Sequence, residues 1–270
     1  MPLFGRDISV RVISAVVLAA ISLGCAWLGG GAAGIAVAVA VILVHAEWMR
    51  MTGDRFIRRA AGVGTVILVI SFGALVAGHM ATALIMALVA IGFAALLSRE
   101  LWRPAGVLYV GVLGFGLLML RLSPDHGLVA VLFLFAVVWG TDSAAYFAGR
   151  AIGGPRLWPA ISPKKTWAGS IGGLLGGVVL GLVVVAIAGL PVTFGLALVA
   201  ALLAVVAEAG DLAESALKRH FGVKDSGQLI PGHGGLMDRV DGLTFAAGFA
   251  VVVGVLHGGP GAIAGGLLLW

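Results

Sequence analysis

The chain has 270 residues, of which 61% are hydrophobic and only 11% are charged. A water-soluble domain is roughly one quarter charged, so a soluble globular fold is excluded and the lipid bilayer must be the solvent for most of the chain. The net charge of +5 does not indicate a nucleic-acid partner, because the basic residues lie in short gaps between apolar runs, as in membrane-flanking loops. The single cysteine, Cys25, excludes an intrachain disulfide and a cysteine-cluster metal site.

A membrane-spanning helix needs about 20 mostly apolar residues. By this criterion the sequence predicts an all-α, polytopic integral membrane protein with about nine transmembrane helices, the first of which is not a cleaved signal peptide. The predicted spans are 9–28, 32–49, 60–78, 80–98, 105–122, 127–148, 167–189, 193–217 and 243–258. The apolar tail 259–270 extends the last span or lies at the membrane interface, with Pro260 breaking the helix between them.

The Lys and Arg residues in the gaps between spans predict the orientation. With nine spans, sixteen of the 17 Lys and Arg residues fall on the side of the N-terminus, and only Arg121 falls on the other side. This asymmetry predicts a cytoplasmic N-terminus in the cell (inner) membrane. It also places the two longest polar gaps, 150–166 and 218–242, together on the cytoplasmic face.

Three carboxylates recur at helical spacing near the end of the eighth predicted span: Glu208, Asp211 and Glu214. Residues three or four apart share one helix face, so these side chains form a stripe that Ser215 and Lys218 continue. Like charges in one column repel unless a cation or basic groups hold them. The stripe indicates either a divalent-metal site, which we favour, or a column of salt bridges.

The polar segment 215–241 combines ingredients of phosphoryl or nucleotidyl transfer. The carboxylates of Asp211, Asp238 and Asp241 suit Mg²⁺, which binds through one or two carboxylates and substrate phosphates. A helix that begins at Asp238 would aim this residue and Asp241 at one point. The turn 231–235, Pro-Gly-His-Gly-Gly, has little side-chain bulk, so its backbone N–H groups can approach an anion. The basic residues that could bind phosphate are Lys218, Arg219, Lys224 and Arg239.

A second polar patch lies upstream. Asp142 stands inside an apolar run, where an unpartnered ionisable group costs on the order of several kcal/mol, so it is a functional candidate. Lys164, Lys165 and Thr166 could meet a phosphate at the N-terminus of the seventh span, and ordinary membrane-flanking lysines are the alternative. For Glu47, which lies near a helix end, we expect only a local pair with a neighbouring Arg or a snorkelling side chain.

The segment Ser215–Asp241 closely resembles the signature of the phosphatidate cytidylyltransferase (CDP-diacylglycerol synthase) family. The matching residues are Ser215, Lys218, Arg219, Lys224, Asp225, His233, Gly234, Gly235, Asp238, Arg239 and Asp241. Upstream, the resemblance extends to Asp142–Tyr146, to Gly149 and Arg150, and to Ser162–Thr166, so it covers about 140–242. The family commonly has Glu where this chain has Ala168, and the chain departs from the pattern there.

The resemblance implies an enzyme that converts CTP and phosphatidic acid to CDP-diacylglycerol and pyrophosphate in phospholipid biosynthesis, with Mg²⁺ (one or two ions), in a homodimer. As a hypothesis on the mechanism, we assign Asp211 and Asp238 as the primary metal ligands, with Asp241 and Glu214 nearby. The implied catalytic residues are Asp211, Asp238, Lys218, Arg219, Asp241 and His233, which contacts pyrophosphate or only orients the turn. The implied substrate-binding residues are Ser162, Lys164, Lys165, Thr166, Ser215, Lys224, Arg239, Gly234, Gly235, Asp142 and Tyr146. We accordingly divide the chain into an N-terminal region, 1–126, with about five spans and a C-terminal catalytic region, 127–270.

Two other classes of protein are considered. A proton- or cation-coupled transporter also has intramembrane carboxylates and Gly-rich helices, but basic residues clustered on one face and the absence of paired broken helices argue against it. The CDP-alcohol phosphotransferases carry an Asp-Gly-x-x-Ala-Arg core with two later aspartates. The stretch that begins at Asp241 lacks that Arg and those aspartates.

Overall fold

A computed structural model describes residues 3–53, 58–97, 101–232 and 234–270, with side chains 3–11 and 58–61 left undescribed. The protein is predominantly helical. The elements are α1 (Leu3–Leu28), α2 (Gly30–Met51), α3 (Arg58–Val76), α4 (Met80–Leu96), α5 (Trp102–Arg121), α6 (Gly127–Ala151), β1 (Arg156–Trp158), β2 (Ser162–Thr166), α7 (Trp167–Ile187), α8 (Phe194–His220), α9 (Met237–Gly258) and α10 (Ile263–Leu268).

Each predicted span overlaps one of the helices α1 to α9 within the described ranges. Counted over the described residues alone, six of these helices, α2 and α5 to α9, are long and apolar enough to cross a membrane, whereas the described parts of α1, α3 and α4 are shorter apolar stretches. The helical membrane architecture is therefore confirmed. The count of about nine spans and the orientation of the N-terminus stay predictions.

The chain divides into two compact units. The first consists of residues up to Gly114 together with His220–Val240, and the second consists of Phe115–Arg219 and Asp241–Trp270. The division predicted from sequence, at residue 126, stays a prediction. Each unit is described below by itself.

In the first unit, the N-terminal end of α5 packs closely on α2 through an indole ring. A Cβ atom on Gly106 would lie 2.6 Å from the ring of Trp48, so glycine permits this approach. The indole N–H of Trp48 donates to the carbonyl of Trp102 at 2.8 Å. The ring of Trp102 lies 5.0 Å from that of Phe221, centroid to centroid, in an edge-on contact. These contacts fix the 220–240 segment against α5 and α2.

In the second unit, α6 and α7 pack at very short range along glycines. The glycines on the buried face of α7 are Gly169, Gly173, Gly177 and Gly181. A Cβ atom added to Gly172 or Gly176 would lie 2.3 Å from a methyl group of α6. Small residues let helix backbones approach inside a bilayer, where lipid tails provide no hydrophobic drive for association. This packing holds the first turn of α7, and the strand before it, beside α6.

Helices α8 and α9 also approach through glycines in the second unit. A Cβ atom on Gly210 would lie 2.9 Å from the ring of Phe245, and one on Gly242 would lie 2.9 Å from the carbonyl oxygen of Ala207. Gly210 directly precedes Asp211 and Gly242 directly follows Asp241. The close approach of the two helices therefore occurs where each carries a carboxylate.

Two local features differ from, or add to, the sequence expectations. Residues 156–166 form an antiparallel hairpin, in which Arg156 pairs with Thr166 and Trp158 with Ser162. The strands are too short and too polar for an alternating pattern to predict them. The tail does not extend the last span: α9 ends at Gly258, the helix breaks around Pro260, and α10 follows as a separate short helix.

Candidate active site

Asp211 of α8 is the meeting point of two predicted site regions. Its Oδ2 atom lies 2.6 Å from Nζ of Lys165, which is carried by β2. Its Oδ1 atom accepts a hydrogen bond of 3.3 Å from the hydroxyl of Ser215, one turn further along α8. Lys165 and Asp211 are 27% and 30% exposed, so the pair is reachable from outside the protein. The upstream patch and the carboxylate stripe therefore converge, as the sequence predicted.

The next carboxylate on α8 is fully enclosed. Glu214 is buried and forms an ion pair with Lys218, four residues later. Burying both charges is tolerated because each compensates the other, whereas removal of one partner would leave a buried unpaired charge. Lysines thus hold both Asp211 and Glu214. The alternative of a salt-bridge column with Lys218 and Arg219 is correct for the pair of Glu214 and Lys218. Asp211 pairs instead with Lys165 of β2, and a metal role for these carboxylates stays a prediction.

Glu208 extends the stripe toward the middle of the helix. Its Oε2 atom accepts a hydrogen bond from the hydroxyl of Ser170 in α7, and its Oε1 atom is buried with no hydrogen-bond partner among the described residues. A Cβ atom on Gly173 would lie 2.9 Å from Oε1. Glu208 also interacts electrostatically with Lys165 and Asp211. It belongs to the same charged group, as its helical spacing from Asp211 indicated, although the family motif did not include it.

Asp241 brings a carboxylate from α9 into this group. It is close enough to Asp211, Glu214 and Asp142 to interact with each electrostatically. Its Oδ1 atom accepts from the N–H of Gly242 at 2.8 Å. We call Glu208, Asp211, Glu214 and Asp241 the carboxylate cluster. Within the second unit it unites α8 and α9, with Lys165 and Lys218 as its cations.

The hairpin that carries Lys165 is fixed at both ends. The guanidinium of Arg156 donates to the carbonyl of Lys164 at 3.1 Å, while the side chain of Lys164 is exposed. Thr166 is buried and caps α7, because its hydroxyl oxygen accepts from the N–H of Gly169 at 3.0 Å. Ser162 lies in the strand pairing opposite Trp158. The direct contact with the cluster is made by Lys165, and substrate-binding roles for Ser162, Lys164 and Thr166 stay predictions.

Asp142 and Tyr146 lie on an exposed face of α6. Both side chains are exposed, and the hydroxyl of Tyr146 accepts from the guanidinium of Arg150 at 3.0 Å. Residues four apart follow one another along a helix, so these three form one polar stripe. Asp142 is therefore not sealed in a protein core, and its charge acts on Asp241. Substrate contacts of Asp142 and Tyr146 stay predictions.

In the first unit, Asp238 organises the Gly-rich turn. It lies in the first turn of α9, which begins six residues earlier than predicted. Its carboxylate accepts from the N–H of Ser226 at 3.0 Å, from the hydroxyl of Ser226 at 2.9 Å and from the N–H of Gly235 at 2.8 Å. Gly234 has a φ of 83°, and a Cβ there would lie 2.9 Å from Oδ2 of Asp238. Gly234 thus admits the carboxylate of Asp238. Metal binding by Asp238 stays a prediction.

The expectation for Glu47 was wrong. Glu47 is buried, with only 1% of its surface exposed. Its side chain reaches the start of α9. Its two oxygens accept from the N–H groups of Leu236 at 3.0 Å and Met237 at 2.7 Å. Neighbouring charges in sequence suggested a local pair, because nothing in one sequence indicates that a partner lies about 190 residues away.

The remaining predicted residues are placed with less detail. Arg219, Lys224 and Arg239 are exposed. His233, predicted to contact pyrophosphate or to orient the turn, lies outside the described residues. Ser226 was not predicted as a site residue. The one indication in the sequence is that it immediately follows Asp225, which matches the motif.

A bound Mg²⁺ can be tested against the donor chemistry. Asp211, Glu214 and Asp241 offer hard oxygen donors that interact electrostatically, which suits Mg²⁺. In the part of the chain that the structure describes, however, no three His, Cys, Asp or Glu side chains meet in an arrangement that could hold a metal ion. Two of the carboxylates are turned to lysines instead. The carboxylates are therefore of the chemical type that binds Mg²⁺. To bind the ion, Asp211 and Glu214 would have to exchange their lysine partners for it.

Comparison with known proteins identifies the family. The model of the cytidylyltransferase family matches residues 9–257. A phosphatidate cytidylyltransferase of Brucella suis is 41% identical over 260 residues, covering 94% of this chain and 96% of that protein. Those of Bacillus subtilis and Haemophilus influenzae are 42% and 44% identical, each over about half of both chains. The chain belongs to the cytidylyltransferase family, and the resemblance to phosphatidate cytidylyltransferases predicted from its motifs is confirmed.

Proposed function

We propose that the protein transfers the cytidylyl group of CTP to phosphatidic acid, which gives CDP-diacylglycerol and pyrophosphate. The observation that carries this proposal is the 41% identity to a phosphatidate cytidylyltransferase over 94% of the chain. The structure supports it because Lys165 and Lys218, two residues of the matching motifs, are in contact with the carboxylate cluster.

The reaction depends on the stabilisation of negative charge more than on proton transfer. A phosphate oxygen of phosphatidic acid attacks the α-phosphorus of CTP, and the bond from that phosphorus to the bridging oxygen breaks, releasing pyrophosphate. The attacking oxygen is already anionic, so no strong general base is needed. The barrier comes from bringing two polyanions together and from charge on the leaving group, which cations placed in advance reduce.

The chain supplies such cations from two directions. Lys165 projects from β2 and Lys218 from α8, each held by a carboxylate, which keeps the ammonium groups in fixed positions. Arg219 and Lys224 follow on exposed positions after them. We assign Lys165 and Lys218 to the reacting phosphates, and the exposed side chains to the outer phosphates of CTP or to the lipid phosphate.

We infer a requirement for Mg²⁺, held by Asp211, Glu214 and Asp241, and by Asp238 as predicted from the motif. The support is that Asp241 of α9 interacts electrostatically with both Asp211 and Glu214 of α8. When bound, the ion would neutralise phosphate charge and stabilise the leaving pyrophosphate.

The deciding experiment is an assay of the purified full-length protein in detergent with radiolabelled CTP, phosphatidic acid and MgCl₂. We expect a labelled CDP-lipid and one pyrophosphate for each. No labelled lipid, together with a solute flux after reconstitution into liposomes, would replace the proposal with the transporter. An Asp211→Asn protein provides the background for the assay.

We further propose nine spans with a cytoplasmic N-terminus and a cytoplasmic active site. The support is the sixteen-to-one division of Lys and Arg residues and the nine overlapping helices. In a Cys25→Ser background, Asp125→Cys should react with a membrane-impermeant maleimide on intact cells, whereas Ala160→Cys should react only after lysis. Both positions are exposed. The reverse pattern would invert the proposed topology.

The family resemblance also supports a homodimer, which we propose for the protein in the membrane. Light scattering of the detergent-solubilised protein, corrected for bound detergent, should give twice the chain mass of 27.3 kDa. A mass of one chain under conditions that preserve activity would contradict this.

A further inference from the structure

We propose that Glu47, on the second helix, is a positioning residue for the turn segment 226–237 and thereby for CTP binding. This inference rests on the proposed function. It assigns a role in the reaction to a residue of the N-terminal region, outside every motif on which the family resemblance depends.

The first observation is the set of contacts that Glu47 makes. Oε1 accepts from the N–H of Leu236 at 3.0 Å, and Oε2 accepts from the N–H of Met237 at 2.7 Å. These N–H groups stand at the N-terminus of α9, where backbone donors lack partners within the helix and the helix dipole favours negative charge. A carboxylate from α2 thus completes the start of α9.

The second observation is that the turn segment is shaped around this carboxylate. A Cβ atom on Gly227 would lie 2.6 Å from Oε1 of Glu47, and one on Gly235 would lie 2.6 Å from Oε2. Neither position can therefore carry a side chain while Glu47 stays in place. The two glycines near the ends of the segment therefore leave the space that the buried carboxylate of Glu47 occupies.

The third observation connects Glu47 to the predicted site. The hydroxyl of Ser226 lies 3.3 Å from Oε2 of Glu47 and 2.9 Å from Oδ2 of Asp238. A hydroxyl has one proton to donate, so the two carboxylates share one donor. Asp238 in turn accepts from the N–H of Gly235 at 2.8 Å. Any movement of Glu47 is transmitted to Ser226 and Asp238 through these contacts.

The contacts also require a carboxylate. Both oxygens accept backbone N–H groups, and a glutamine has only one acceptor oxygen, so its amide –NH₂ would face an N–H donor. Glu47→Gln keeps the shape of the side chain and removes one of the two acceptor oxygens. Glu47→Asp keeps two acceptor oxygens on a side chain one methylene shorter. Arg50→Gln, in the last turn of the same helix with an exposed side chain, serves as the matched control.

The experiment compares the four full-length proteins in detergent. We expect Glu47→Gln to lower kcat/KM for CTP by about 10- to 100-fold, mainly through a higher KM, with Glu47→Asp intermediate and Arg50→Gln unchanged. Hydrogen–deuterium exchange should rise in 226–240 of Glu47→Gln and stay unchanged in α6 and α7.

Two results would overturn the inference. One is a Glu47→Gln protein with unaltered KM for CTP and unaltered exchange in 226–240. The other is a general loss of exchange protection with a lower melting temperature, which would make the role of Glu47 merely structural. If the unsubstituted protein forms no CDP-lipid, the proposed function fails, while the exchange comparison still decides whether Glu47 holds the turn segment.

Discussion

The ammonium of Lys165 lies 2.6 Å from Oδ2 of Asp211. This contact joins a short polar hairpin to the carboxylate stripe of α8, two regions that are separated in sequence by the whole of α7. The close packing of α6 and α7 through glycines holds the hairpin in place, so the contact depends on residues that take no part in chemistry themselves.

Replacement of Asp211 by Asn should lower kcat/KM for CTP-dependent turnover by more than about 100-fold, to a residual rate that can still be measured. The substitution removes the charge that Lys165 and the proposed cation share, while the size of the side chain is kept. The measurement is CDP-lipid formation by a variant whose elution profile matches that of the unsubstituted protein. Asp125→Asn, in an exposed loop, should retain full activity. Near-normal turnover by Asp211→Asn would remove Asp211 from the mechanism.

Lys165 and Asp211 should be energetically coupled. Lys165→Met alone leaves Asp211 without its cation, and Asp211→Asn alone leaves Lys165 without its anion, so each single change carries part of the same loss. In a double-mutant cycle on kcat/KM, we expect the double variant to be less impaired than the product of the single effects by about threefold or more. Additive effects would show that the contact is not used during turnover.

Gly242→Ala should lower both stability and activity. The added methyl would lie 2.9 Å from the carbonyl oxygen of Ala207, so α9 must move away from α8, at a cost of about 1–3 kcal/mol. Asp241, the preceding residue, would move with it. Gly92→Ala is the control, because a Cβ there meets nothing within 4 Å and Ala favours a helix over Gly. Thermal unfolding and CDP-lipid formation are the measurements, and equal behaviour of the two variants would contradict the close approach of α8 and α9.

Removal of divalent cations should stop the reaction, and Mg²⁺ should restore it. Asp241→Asn should then require a higher Mg²⁺ concentration for half-maximal activity, by about tenfold, because one carboxylate of the cluster loses its charge. Titration of MgCl₂ against CDP-lipid formation after EDTA treatment measures this. A variant with an unshifted Mg²⁺ dependence would exclude Asp241 as a ligand.

Ser170→Ala should have a smaller effect than the cluster variants. Its hydroxyl donates to Glu208, and the loss of that bond leaves a second oxygen of a half-buried carboxylate unsatisfied. We expect about a three- to tenfold fall in kcat/KM, corresponding to one hydrogen bond to a charged group. If Glu208→Gln together with Ser170→Ala behaves like the unsubstituted protein, Glu208 has no part in the site.

The sequence predicted those features that depend on local pattern. Apolar run lengths predicted the helices, and helical spacing predicted that Glu208, Asp211 and Glu214 share a face. The motif selected Lys165 and Asp238, and their roles in the reaction stay predictions. Helix spacing also placed Asp238 and Asp241 correctly at the beginning of a helix, although the predicted start of α9 was six residues late.

What only the tertiary structure decided are the partners of these groups. Lys165 forms its ion pair with Asp211, and Ser170 donates a hydrogen bond to Glu208. Glu47 accepts hydrogen bonds from Leu236 and Met237 and not from a neighbour on its own helix. The physical reason is the range of each interaction. Hydropathy and helical periodicity are properties of consecutive residues and can be recognised over one or a few helical turns. The pairing of buried charges depends instead on how helices far apart in sequence pack together. Glycines determine that packing, because the absence of a side chain lets two helices approach closely.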